Sequence, residues 1–139
     1  MLKRFVNPLV PYAPTILRIF AGITFLWYGV SKLGNPAGFI GFVGSLGFPI
    51  PALFGWLVIL LEIVGGLLLI IGLATRWMGL FLAVLMIFTT LLVKVNAGFI
   101  GSQGAGAELD LNLMAMSLAL AILGPGALSV ETNILKREI

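Results

Sequence analysis

The sequence predicts an all-α integral membrane protein: one domain over residues 1–139, with four transmembrane helices in an antiparallel bundle. Of its 139 residues, 60% are hydrophobic and only 9% are charged, whereas a soluble domain carries about 25% charged residues. Four apolar segments have about the length that crosses a bilayer, ~20 residues. The turn between the second and third segments is very short, so these two helices must be antiparallel neighbours.

The four predicted spans cover residues 15–33, 52–75, 77–95 and 108–123. The first span follows Lys3 and Arg4, as a signal peptide would. However, Arg18 interrupts its apolar start and no small-residue cleavage site follows, so we predict a membrane helix. After the fourth span, Gly124 and Pro125 favour a helix end, and Ser129 suits the cap of a short tail helix.

A short interfacial helix over residues 36–46 is predicted between the first and second spans. Asn35 is a good N-cap and Pro36 suits the first helical position. Apolar residues then recur at helical spacing until Gly47 and Pro49 end the pattern. A loosely structured loop over the bundle is the alternative.

The positions of the basic residues predict the orientation. Most of them fall on the side shared by the N-terminus, the second turn and the C-terminus, and the positive-inside rule places that side in the cytoplasm. Both termini are therefore predicted to be cytoplasmic in a multi-pass protein. The inner set is Lys3, Arg4, Arg18, Arg76, Lys136 and Arg137, and the outer set is Lys32 and Lys94.

The composition excludes several kinds of site. The chain has no cysteine and no histidine, the residues that thiol relays, thiolate clusters, common zinc sites and His-ligated haem require. We therefore expect no metal site and no intrinsic cofactor. Any redox role requires a cofactor held by a partner or a diffusible one such as a quinone. The net charge of +3 is small, and no nucleic-acid binding is expected.

Glu62 is the only charged residue between positions 57 and 72. It lies near the predicted midplane, where an acidic side chain costs about 3 kcal/mol on insertion scales. Glycines share its helix face, and a second set of glycines lies on the first span, which indicates close helix packing. The predicted packing residues are Gly22, Gly29, Gly55, Gly65 and Gly66.

Two roles for Glu62 remain open at this point. It can act in ligand binding or proton transfer, or it can make a structural hydrogen bond between helices. Without a nearby cation a buried Glu62 would be neutral and donate a hydrogen bond, whereas beside a lysine it would stay ionised.

Four more charged residues gather at the predicted outer end of the bundle. Lys32, Lys94, Glu108 and Asp110 can form an ion-pair cluster or the mouth of a polar site. Arg18 lies on the same stripe of the first span as Lys32 and completes this set of ligand or ion-pair residues. The alternatives are a helix-end role for Arg18 and Lys32, and structural pairing for the other three.

Several motifs occur in an order that resembles one known family. The most specific are Glu62-x-x-Gly65-Gly66 and the Gly-Leu-x-Thr-Arg sequence at residues 72–76, followed near the end by Gly-Pro-Gly-Ala-Leu-Ser at 124–129. The chain thereby resembles the DoxX family of small inner-membrane proteins. This resemblance implies a four-helix bundle in the inner membrane and a role beside oxidoreductases. Lys94 departs from a histidine found in many relatives, which weakens proton transfer at that position.

The sequence and the resemblance together favour a membrane subunit of an oxidoreductase system that binds a quinone or similar small apolar ligand. Glu62 would be its hydrogen-bond or proton partner, since such chemistry needs an apolar slot beside a proton-active group. A non-catalytic membrane scaffold or anchor within a larger complex is the alternative, and whether the chain is an enzyme stays open. A solute transporter is less well supported because no inverted repeat is evident. Expected partners are the lipid bilayer and other proteins of a membrane complex, or further copies of this chain.

Overall fold

The structure, a computed structural model, describes residues 2–94, 98–101 and 106–139, and these residues form helices and turns without any strand. A 3₁₀ segment, Asn7–Tyr12, joins the first two helices. Two π-helical turns, Thr90–Lys94 and Glu131–Leu135, follow the fifth and sixth helices. The α-helices are α1 (Leu2–Val6), α2 (Ala13–Leu33), α3 (Pro36–Ser45), α4 (Pro51–Ile71), α5 (Thr75–Thr89) and α6 (Ala107–Leu123).

In the part of the chain that the structure describes, three helical stretches are long and apolar enough to cross a membrane: Lys3–Leu33, Pro51–Ile71 and Thr75–Lys94. They confirm the predicted all-helical membrane class. Helix α6 has 17 residues, a length of about 25 Å at 1.5 Å per residue, compared with a hydrocarbon core of about 30 Å. The fourth span therefore stays a prediction.

The boundary between the second and third predicted spans lies earlier than expected. Helix α4 ends at Ile71 instead of residue 75, because Gly72 adopts a left-handed conformation with φ of 72°. Its N–H donates to the carbonyl oxygen of Leu68 at 2.9 Å, an arrangement that ends helices with glycine. Ala74 is also left-handed, so the chain reverses and α5 begins at Thr75.

Helix α3 begins as its sequence predicts. The side chain of Asn35 accepts a hydrogen bond from the N–H of Gly38 at 3.0 Å, and Pro36 is the first helical residue. The helix ends at Ser45, one residue before the predicted end. The predicted helix is present, and its location at a membrane interface stays a prediction.

Four of the helices form a closed ring in the order α2, α4, α5, α6. Helix α2 packs most extensively against α4, and α5 against α6, while α4–α5 and α2–α6 contacts complete the ring. Each neighbour runs antiparallel to the next, so this part of the structure is the predicted antiparallel bundle. Helix α3 packs against α4 at one end. The core between the helices contains Ala21, Phe25, Leu69, Leu82, Leu113 and Leu120.

Glycines allow α2 and α4 to touch through their backbones. A Cβ atom on Gly22 would lie 2.7 Å from the carbonyl oxygen of Gly66, and one on Gly66 would lie equally close to that of Gly22. Further along, a Cβ on Gly29 would lie 3.0 Å from the Cβ of Glu62. Because lipid chains are as apolar as the helices, such close packing is a main source of association in membranes.

The remaining predicted packing glycines face other helices. A Cβ on Gly55 would contact Ile40 of α3, and one on Gly65 would contact Leu82 of α5. Helix α4 therefore presents glycines to three neighbours, α2, α3 and α5.

We predict that Gly66→Ala destabilises the bundle by about 1–3 kcal/mol, the usual cost of overpacking. The added methyl would collide with main-chain atoms of α2, which cannot move aside as a flexible side chain can. Thermal unfolding in detergent, followed by circular dichroism, measures the effect as a lower Tm.

Gly41→Ala in α3 is the matched control, because a Cβ there would contact nothing within 4 Å. Alanine favours a helix over glycine by up to about 1 kcal/mol, so the Tm of this variant should be unchanged or slightly higher. Equal destabilisation by the two variants would contradict the backbone contact.

Candidate functional site

A cavity of about 390 Å³ lies in the half of the bundle covered by α3. Residues from α2, α3, α4, α5, the π-helical turn after α5 and α6 line it. Most of the lining is apolar, and much of it is aromatic. The aromatic residues are Phe25, Tyr28, Phe39, Phe42, Phe48, Phe54 and Phe88, and the polar ones are Lys32, Glu62, Thr89, Lys94 and Asp110.

Lys32 and Glu62 form an ion pair at the wall of the cavity. Gly29 of α2 packs directly against Glu62. Lys32 lies about one turn further along α2, and its side chain reaches back to Glu62 because helical side chains point toward the N-terminus. The Nζ atom of Lys32 donates to both carboxylate oxygens of Glu62, at 2.7 and 2.6 Å. The Lys32 side chain is 22% exposed and that of Glu62 only 4%. The pair therefore joins a buried carboxylate to a more accessible cation.

Two aromatic rings complete the environment of the Lys32 ammonium. Its Nζ atom lies 5.6 Å from the ring centroid of Tyr28 and 5.3 Å from that of Phe39. Ring faces attract cations at such distances. Carboxylate and rings together hold the positive charge in one place beside the cavity.

A second carboxylate lines the cavity from α6. Asp110 is buried, and its Oδ2 atom accepts a hydrogen bond from the Thr89 hydroxyl at 2.7 Å. Asp110 and Glu62 line the same cavity from two different helices. Thr89 is the last residue of α5 before the π-helical turn, a type of distortion that occurs frequently at functional sites.

The structure brings together most of the charged residues predicted from the sequence, but in a different arrangement. Lys32, Lys94 and Asp110 line the same cavity as Glu62. The sequence grouped Lys32 with charged residues at the outer end, apart from Glu62. In the structure Lys32 is instead the direct partner of Glu62. Glu108 is not among the lining residues, and its Oε1 atom accepts from the N–H of Gly106 at 3.2 Å.

Arg18 lies far from this cavity. It is fourteen positions before Lys32, or about 21 Å along α2, and it is almost completely buried. Within the described part of the chain, its guanidinium donates to main-chain carbonyl oxygens at the end of α4 and just after α6, among them those of Pro125 at 3.0 Å and Leu69 at 3.1 Å. The further acceptors are the carbonyls of Ile70, Ala127 and Leu128. These contacts favour the helix-end role that the sequence also allowed.

Thr89 and most of the aromatic lining were not identified from the sequence. One signal was available: Phe25, Tyr28 and Lys32 recur at i, i+3 and i+7 on the α2 face that also carries the packing glycines. Such spacing indicated that these side chains point into the bundle with Lys32. No comparable signal marks Thr89, whose role depends on Asp110 of another helix.

Comparisons with known proteins identify one family whose members resemble this chain in sequence. The DoxX family model matches residues 13–95. The Bacillus subtilis protein named "Putative oxidoreductase CatD" is 35% identical over 121 residues, covering 87% of this chain and 86% of its own length. The Escherichia coli inner membrane protein YqjF is 32% identical, over 88% of this chain and 92% of its own length. Inner membrane protein YphA of the same species is 30% identical, over 87% and 89%. No solved structure matches the chain significantly.

The ion pair predicts strong coupling between Lys32 and Glu62. Lys32→Met or Glu62→Leu alone leaves one charge without its partner, at a cost of about 3–5 kcal/mol for a buried pair. The double variant removes both charges, so it should lose less stability than the sum of the single variants, with a coupling of at least about 1 kcal/mol. Thermal unfolding of the four proteins in the same detergent measures it. Additive losses would show that the two side chains do not interact.

Proposed function

The chain belongs to the DoxX family of membrane proteins, and we propose that it is a membrane subunit of an oxidoreductase system that binds a quinone or a similar small apolar ligand. One observation carries the proposal: an aromatic cavity inside the bundle has the Lys32–Glu62 ion pair in its wall. Its volume of about 390 Å³ falls within the range of small-molecule sites, about 300–1,000 Å³. The name of the Bacillus subtilis relative supports the oxidoreductase class.

The lining fits the chemistry of a quinone ring. Such a ring is flat and apolar, and its two carbonyl oxygens accept hydrogen bonds. Phe25, Phe54 and Phe88 offer faces and edges for ring packing. The Lys32 ammonium has three N–H donors, and the two carboxylate oxygens of Glu62 accept from it. A further N–H can therefore donate to a carbonyl oxygen of the quinone.

Proton transfer is the role proposed for Glu62. A bound quinone supplies a redox centre that takes up protons as it takes up electrons. As the ionised partner of Lys32, which is the more exposed of the two, Glu62 is positioned to take up a proton and then pass it on. Asp110 and the Thr89 hydroxyl offer a second polar pair on another wall. Because the chain has no cysteine or histidine, we expect electrons to come from a partner protein.

A second candidate function is a non-catalytic scaffold or anchor in a membrane complex. The observation that favours it is that other buried charged residues bind main-chain groups of neighbouring segments. Arg18 binds main-chain carbonyls, and Glu131 accepts from the N–H groups of Thr75 at 2.8 Å and Ile139 at 3.0 Å. The Lys32–Glu62 pair equally joins α2 to α4, so its ligand role requires a direct test.

The proposed topology has α6 as a fourth span and both termini in the cytoplasm. Contacts at one end of the bundle support it. The N–H of Ala127 donates to the carbonyl of Pro11 at 2.9 Å, and Arg76 pairs with Glu138 at 2.8 Å. The N-terminal segment, the α4–α5 turn and the tail therefore meet at one end, which also carries most of the basic residues.

We predict that the wild-type protein, purified in mild detergent, retains a quinone that organic extraction and chromatography detect. Glu62→Gln should lower the retained amount by roughly tenfold, because losing a hydrogen-bonded charge costs about 1.5–3 kcal/mol. Glu138→Gln is the matched control, since this carboxylate lies in the tail and should leave retention unchanged.

The same purification distinguishes the scaffold. Absence of quinone from the wild type, together with unchanged partner proteins in Glu62→Gln and Glu62→Leu, would contradict the binding site and favour the scaffold. Loss of quinone with unchanged partners would favour the site.

For topology, we predict that alkaline phosphatase fused after Gly98 is active and that the same enzyme fused after Ile139 is inactive. The enzyme requires the oxidising side of the membrane, and α6 would return the chain to the cytoplasm. Fluorescence of green fluorescent protein at the C-terminus provides the complementary readout. Equal phosphatase activity at both positions would show that α6 does not cross the membrane.

A further inference from the structure

A groove on the outer surface of the bundle lies next to the cavity. This groove, of about 250 Å³, lies between α4 and α5. Phe54, Val58, Leu85 and Phe88 line both the cavity and the groove. The remaining groove residues are Leu57, Leu61, Phe81 and Val84. The two spaces are therefore neighbours separated only by shared side chains.

The groove lies on the part of the surface that contacts lipid. Its residues belong to two of the helical stretches that can span a membrane, Pro51–Ile71 and Thr75–Lys94. Leu57 is 53% exposed and Val84 is 42% exposed. Among the described residues, those that line the groove are all apolar. Within a bilayer, such a surface is in contact with hydrocarbon chains and not with water.

Side-chain size explains why the opening occurs between these two helices. Helices α2 and α4 touch through Gly22 and Gly66, which leaves no space between them. At the groove, α4 and α5 instead face each other with large side chains such as Phe54 and Phe88. Two of these large side chains, Phe54 and Phe88, line both the groove and the cavity.

The cavity and the groove differ in polarity. The cavity has a charged wall that includes Lys32 and Glu62, whereas the described residues that line the groove are all apolar. A molecule that fits both has a compact polar ring or head group and an apolar chain. Such molecules dissolve in the bilayer, and the groove is open to it.

On the basis of the proposed function, we infer that the ligand is a membrane-dissolved molecule with a ring and an apolar chain. The ring occupies the cavity beside Lys32 and Glu62, and the chain lies in the groove between α4 and α5. The ligand enters sideways from the bilayer between Phe54 and Phe88. The groove therefore selects ligands by their chain, while the ion pair selects them by their ring.

The test compares two probes and four proteins in lipid nanodiscs. The probes are decyl-ubiquinone and the same quinone ring without its decyl chain. Val84→Trp and Leu57→Trp fill the groove from its two walls, at positions that do not line the cavity. Val64→Trp is the matched control, because Val64 is a similarly exposed valine of α4, at 48%, and lines neither space. Circular dichroism and gel filtration verify that each variant is folded.

Binding titrations, with concentrations expressed per lipid, give the Kd of each probe. We expect either groove variant to weaken decyl-ubiquinone binding at least tenfold and to leave the chainless ring within about twofold of wild type, with Val64→Trp unchanged for both. Folded groove variants that bind both probes as the wild type does would overturn the groove assignment and leave the cavity site intact. Failure of the wild type to bind either probe would overturn both proposals.

Discussion

The close approach of α2 and α4 is the constraint on which the rest of this structure depends. At Gly22 and Gly66 the two backbones touch, and no side chain can be added without a collision. This contact fixes the relative height of the helices, so that Gly29 lies opposite Glu62 and Lys32 lies one turn beyond it. The ion pair, and with it the polar wall of the cavity, follows from a helix register set by residues without side chains.

The bundle has two halves that satisfy buried charge in different ways. In the half near the termini, Arg18 and Glu131 bind main-chain atoms, whose positions are fixed by the helices. In the half covered by α3, Lys32 and Glu62 bind each other and line a cavity. A main-chain partner cannot move or change its charge, whereas a paired side chain can exchange its partner for a ligand.

Local features could be predicted from the sequence, and features that depend on helix register could not. Asn35 caps α3 as expected, because a cap needs only three following residues. The end of α4 was misplaced because apolar residues continue past Gly72, where the backbone turns. Periodicity predicted which face of its helix carries Glu62. Counting residues, however, predicts the position of a residue only along its own helix. The offset between neighbouring helices, which brings Lys32 to Glu62, cannot be obtained that way. The aromatic cavity also depends on how α3 folds over the bundle.

The ion pair also has a consequence for how the chain enters the membrane. Lys32 precedes Glu62 by thirty residues, so the ribosome makes the cation first. A lone acidic residue at the bilayer centre costs about 3 kcal/mol on insertion scales. If the helices enter the bilayer in chain order, α2 brings the positive charge of Lys32 before α4 brings Glu62. The order of synthesis thus makes the counter-charge of Glu62 before Glu62 itself, and reversing the positions of the two residues would place the carboxylate in α2 before the lysine of the pair had been made.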